Sequence, residues 1–95
     1  MAVMYTAVVR ITDWQAWQRL SDETLIAYAR QAGATRYRIY RNLHDAAEAM
    51  IVAEFPDYEA VRRMGESTDA RVIRLTPDGV SDDRVWEQMS CEAIG

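Results

Sequence analysis

The stretch Thr35–Phe55, TRYRIYRNLHDAAEAMIVAEF, reads as two alternating strands joined by a short polar turn, which would form the middle of a sheet. Its two faces separate chemically. Thr35, Tyr37, Ile39, Ala49, Ile51, Ala53 and Phe55 fall on one side, apolar enough to lie under helices. Arg36, Arg38, Tyr40, Asn42, Glu48, Met50, Val52 and Glu54 fall on the other, too apolar in places for plain surface and too charged for an ordinary core. The turn is expected over Leu43–Ala47, where the side chains of Asn42 and Asp45 can bond local backbone. The second face is the candidate functional face.

Upstream, Val3–Ile11 alternates Val3, Tyr5, Ala7, Val9 and Ile11 against Met4, Thr6, Val8 and Arg10, which predicts a first strand. Thr12 with Gln15 forms a capping-box pattern, and Asp13 is an alternative cap. A long helix follows, with Trp14, Trp17, Ser21, Leu25, Tyr28, Ala29 and Ala32 as its buried stripe and Gly33 as its stop. Downstream of Phe55, Pro56 ends the third strand. Asp57 caps a helix to Met64 that is buried through Tyr58, Val61 and Met64 and closed by Gly65. Ser67–Leu75 reads as a further helical turn or two, ended by the turn Thr76-Pro77-Asp78-Gly79. Arg84–Glu92 resumes alternation, with Val85, Met89 and Cys91 on one side and Arg84, Trp86, Gln88 and Ser90 on the other.

The order βαββαβ predicts a single α+β domain over residues 1–95, a ferredoxin-like four-stranded antiparallel sheet with helices on one face. Nothing in the sequence is left to cover the other face. Thr6, Val8, Arg10, Arg38, Tyr40, Met50, Val52, Glu54, Trp86 and Gln88 would line it, and a second copy is the expected cover.

Composition removes several function classes. A chain of 95 residues with a net charge of -4 lacks the basic footprint of a nucleic-acid module. All 11 basic residues are arginine, which excludes Schiff-base chemistry and a lysine base. One cysteine allows no internal disulfide, and one histidine with one cysteine gives no zinc-type ligand set. No glycine-rich phosphate loop occurs. No apolar run approaches a membrane span and no signal-peptide pattern opens the chain, so a cytoplasmic location without membrane contact is the expectation.

The D-W-x-x-W at Asp13–Trp17, the Y-R-I-Y-R-N at Tyr37–Asn42, the strand ending E-F at Glu54–Phe55 and the D-Y-E-A at Asp57–Ala60 resemble the small dimeric α+β-barrel proteins. These include antibiotic-biosynthesis-monooxygenase-like and polyketide-cyclase-like proteins. The resemblance implies a homodimer whose two sheets face each other across a cavity, with no cofactor. It implies an enzyme of secondary metabolism that oxygenates or cyclises an aromatic or polyketide-like molecule there. A non-catalytic dimer that binds a small molecule or assists a partner is the alternative. Haem-degrading relatives use an Asn, a Trp and a helix-borne His; here the first strand carries no Asn and His44 sits in a turn, so haem is set aside.

Arg10, Arg36, Arg38 and Arg84 are candidates to bind a carboxylate, phenolate or 1,3-diketone, because a guanidinium is a permanently charged planar fork. The structural alternative is pairing with Glu48, Glu54 and Glu87, with Arg10 facing Glu54. Arg38 is the foremost candidate. Tyr40 and Trp86 offer a hydroxyl and an indole N–H to a polar ring substituent, against a place in the dimer core. Met50 and Glu54 complete the expected ligand surface. His44, with Asp45 to orient it, is a candidate acid or base, against the reading of an exposed turn residue. Trp14 and Trp17 are expected to pack, and Cys91 to face the helices.

Overall fold

The computed structural model describes residues 2–67 and 80–95, for residues 64–67, 80 and 81 the backbone only. The expected turn segment Ser67–Gly79 lies outside this range beyond its first residue. The elements are β1 (Val3–Arg10), α1 (Trp14–Leu20), a π-helical turn (Ser21–Leu25), α2 (Ile26–Gln31), β2 (Arg36–Asn42), β3 (Asp45–Phe55), α3 (Tyr58–Ser67) and β4 (Val80–Glu87). The four strands form one antiparallel sheet in the order β2-β3-β1-β4. This is the α+β ferredoxin-like arrangement the sequence predicts.

Asp13, not Thr12, caps the first helix: its carboxylate accepts from the Ala16 N–H at 3.1 Å. The expected single helix is continuous but widens at Ser21–Leu25, where the Ile26 N–H reaches back to the Ser21 carbonyl. Gly33 ends the run at φ 98°, a backbone angle that L side chains rarely adopt. Asp57 caps α3 through the Ala60 N–H at 2.9 Å. That helix runs through Gly65 to Ser67 rather than stopping at it, since glycine in a helix costs only about 1 kcal/mol.

The helix-side faces of β1 and β3 close two apolar clusters. Val3, Ala32, Ala53, Phe55, Ala60 and Val61 form one; Val9, Ile11, Trp17, Ala49 and Ile51 form the other. Tyr58, expected in the core, is 59% exposed, and Ala60 is the buried residue of that turn. Tyr58 is the first residue of α3 and lines a surface depression beside β4 instead.

Two strand boundaries depart from expectation. The β2–β3 turn is only Leu43–His44, and β3 begins at Asp45. Side-chain bonds shorten it: Asn42 Oδ1 accepts from the His44 N–H at 2.8 Å and Asp45 Oδ1 from the Ala47 N–H at 3.0 Å. β4 occupies Val80–Glu87, not Arg84–Glu92, because its partner β1 runs out. Pairing starts at Val9↔Val80 and ends at Val3↔Glu87, with one more bond from Gln88 N–H to the Ala2 carbonyl. Met89 and Cys91 therefore lie past the sheet, exposed, and Cys91 does not face the helices.

Both sheet edges resist further pairing. β2 carries three arginines, and β4 is bulged opposite Ala7, where Asp82 sits at φ 48°.

Candidate functional site

The open face takes its order from strand register. Arg38 lies opposite Val52 and Tyr40 opposite Met50, while on β1 Thr6 lies opposite Val52 and Val8 opposite Met50. Met4 lies opposite Trp86, so four strands place arginine, tyrosine, methionine and tryptophan side chains on one surface. Val52 and Thr6 are buried among them, whereas Tyr40, Met50 and Trp86 are 47%, 38% and 46% exposed. No element among the described residues covers them.

Arg38 Nη1 donates to the Tyr40 hydroxyl at 3.4 Å, joining the two foremost candidates. Arg36 pairs with Glu54, directly opposite it, at 3.7 Å, and Arg84 pairs with Asp82 at 2.9 Å. Arg10 does not face Glu54: its register partner is Glu48, and it bonds Asp45 at 3.0 Å. The sequence expectation paired strands of unknown register, and the observed β1–β3 register puts Glu54 opposite Met4 instead. The Trp86 indole N–H donates to Thr6 Oγ1 at 2.8 Å, which fixes the ring and engages the donor that a ligand would have used. Glu48 accepts from the Asn42 amide at 2.9 Å.

His44 stands exposed in the two-residue turn. Its expected orienting partner is occupied. One Asp45 oxygen takes Arg10 and the other the Ala47 N–H, and these bonds hold the Asp45 carboxyl below its usual range. The structure thus gathers Arg36, Arg38, Tyr40, Met50, Glu54 and Trp86 on one face, with Arg10 at its rim, and sets His44 at the hairpin tip.

A half-open depression of about 360 Å³ lies at the other edge of the sheet, between β4 and the start of α3. Val3, Asp57, Tyr58, Val85, Trp86 and Glu87 line it, so Trp86 is the one candidate it shares with the Arg38 surface. Among the described residues no group of three or more His, Cys, Asp or Glu could hold a metal ion, and no helix is long and apolar enough to cross a membrane.

Polar groups under the helices went unnoticed in the sequence. Ser21 Oγ donates to the Tyr37 hydroxyl at 3.3 Å, and the buried Trp17 indole N–H has no partner among the described residues. Burial raises the Tyr37 phenol pKa, with Asp22 adding to the rise and the Ser21 bond opposing it. Burial and then Asp83, whose carboxylate accepts from the Tyr5 hydroxyl at 3.5 Å, push Tyr5 up to about 12. A serine within the helix stripe and tyrosines within two aliphatic strand faces were the available signals.

The Tyr5 shift fixes a pH dependence. The unfolded phenol ionises near 10.0 while the folded one keeps its proton to about 12, so this contribution is complete below pH 10 and is lost as pH rises to 12. Thermal melts should show the wild type losing more stability than Tyr5→Phe between about pH 9 and 11.5. Equal losses would show that Tyr5 titrates normally.

Solved structures share this architecture. A variant of SnoaB, a cofactor-independent oxygenase from Streptomyces nogalater, superposes with a TM-score of 0.77 at 16% identity over 95% of each chain. The chain shares its fold with that oxygenase and with the solved structures below. Rv0793 from Mycobacterium tuberculosis matches with a TM-score of 0.70 at 16% identity, covering 98% of this chain and all of that one. A candidate antibiotic biosynthesis monooxygenase from Bordetella bronchiseptica matches at 0.71 and 8% identity, covering 94% and 98%. No protein-family model and no curated protein sequence matches the chain. At these identities the likeness concerns the fold, and the function has to be argued from the site.

Proposed function

We propose that two copies of this chain close their open sheet faces on each other and hold an aromatic or polyketide-like small molecule between them, to be oxygenated or cyclised without a cofactor. The observation that carries this reading is the Arg38–Tyr40 contact on a partly apolar sheet face that no element among the described residues covers. Four strands about 4.8 Å apart, each about eight residues long at about 3.3 Å rise, project about 500 Å². With side-chain relief this approaches the roughly 800 Å² per partner of a stable interface. The structural neighbours support the general enzyme kind, SnoaB being a cofactor-independent oxygenase.

In this site Arg38 and Tyr40 hold an anionic or enolic oxygen and stabilise negative charge that develops on it. Arg36 with Glu54, Arg10, Met50 and Trp86 shape the surface around them, while His44, the expected acid or base, stands exposed at the hairpin tip. The engagement of Asp45 elsewhere favours the second reading, a dimer that binds the small molecule without transforming it.

Arg38→Met is expected to preserve fold and dimer while abolishing binding of an acidic aromatic ligand. If the protein turns that ligand over in the presence of oxygen, the rate should drop on the order of a hundredfold. Ligand titration and thermal melting of the same variant decide the matter: normal binding with a lowered Tm would assign Arg38 a structural role only.

A further inference from the structure

Four guanidiniums lie on or beside the open face, and three are neutralised within the chain. Arg10 pairs with Asp45, Arg36 with Glu54 and Arg84 with Asp82. Arg38 differs. Its polar contact among the described residues is the neutral hydroxyl of Tyr40, and the residue opposite it on β3 is the buried Val52. In an open face this costs little, because water and salt screen an exposed charge. Under a second copy the same guanidinium loses hydration and, without a counter-ion, recovers nothing in return.

An identical copy brings no obvious remedy. It carries the same carboxylates, of which Asp45, Glu54 and Asp82 hold arginines; Glu48 stands opposite Arg10 and accepts the Asn42 amide. A small anion would supply the missing charge and leave those pairs intact.

Resting on the proposed function, we infer that dimerisation is linked to a small anion: the copies close more tightly when each Arg38 holds the carboxylate or phenolate of a planar aromatic ligand. The fork geometry of guanidinium suits two coplanar oxygens, and Met50 and Tyr40, both partly exposed beside Arg38, offer apolar surface to the ring. A neutral ring of the same shape leaves Arg38 unpaired and is discriminated against. A ligand that binds the dimer better than the monomer must tighten the dimer by mass action.

Sedimentation equilibrium of the full chain tests this with 2-naphthoate, the neutral 2-naphthamide, and sodium chloride at matched ionic strength. Naphthoate should lower the wild-type dimer dissociation constant on the order of tenfold or more, with naphthamide and chloride inactive. Arg38→Met should dimerise more tightly than wild type without ligand and ignore naphthoate, and Arg38→Lys, which keeps the charge but not the fork, should respond weakly. A ligand-free Arg38→Met dimer weaker than wild type would place the counter-ion on the second copy and overturn the inference. Equal responses to naphthoate and naphthamide would overturn it too. A wild-type dimer indifferent to naphthoate sinks this inference alone, whereas a wild type monomeric in every buffer sinks the proposed function with it.

Discussion

Phe55→Ala should destabilise the fold by about 3–5 kcal/mol, the range for removing a fully buried aromatic ring. Phe55 is 1% exposed and ends β3 in the cluster of Val3, Ala32, Ala53, Ala60 and Val61. Three of those five neighbours are alanines, whose short side chains cannot swing in to fill the space, so the cavity term should persist. The loss is a large share of the roughly 5–15 kcal/mol that holds a domain folded. Urea denaturation should show a lower midpoint at unchanged slope. The contrasting variant is Tyr58→Ala, three residues on, where a side chain that is 59% exposed should cost no more than about 0.5 kcal/mol. Similar losses in the two would mean that α3 packs through Tyr58 after all.

Met50→Glu should convert the dimer to a folded monomer. Met50 lies on β3, flanked by Val8 on β1 and Tyr40 on β2, and so near the middle of the uncovered face. A two-fold interface would bury the new carboxylate twice, and an unpaired buried charge costs about 3–5 kcal/mol each time. The dimer dissociation constant should rise at least about a thousandfold. The monomer should keep its circular dichroism, because a residue that is 38% exposed tolerates a charge while the face stays wet. A Met50→Glu protein that remains dimeric would place the interface elsewhere.

Most of the fold was legible because alternation fixes faces without fixing partners. Thr35–Phe55 sorted its side chains correctly: Ala49, Ile51, Ala53 and Phe55 are buried on the helix side, and Arg38, Tyr40 and Met50 are exposed on the other. The ends of elements were less legible. Met89 and Cys91 continue an apolar alternation that looks like strand, but a strand lasts only as long as its neighbour, and β1 gives out at Val3. The same limit affected the site. Which carboxylate meets Arg10 depends on β1–β3 register, a property of two distant segments, and a slip of a few residues separates Glu54 from Glu48 and Asp45. The Trp86–Thr6 bond spans nearly the whole chain and depends on a bulge at Asp82 that no local pattern announces. Arg38 and Tyr40, by contrast, lie two residues apart on one strand, and their shared face followed directly from the period of the strand.

If a second copy covers the open sheet face, the mass of the wild-type chain in solution reports it. Light scattering on the eluting peak at micromolar concentration should give twice the chain mass of 10.9 kDa. A single species at 10.9 kDa would leave Tyr40, Met50 and Trp86 exposed to water and contradict the account.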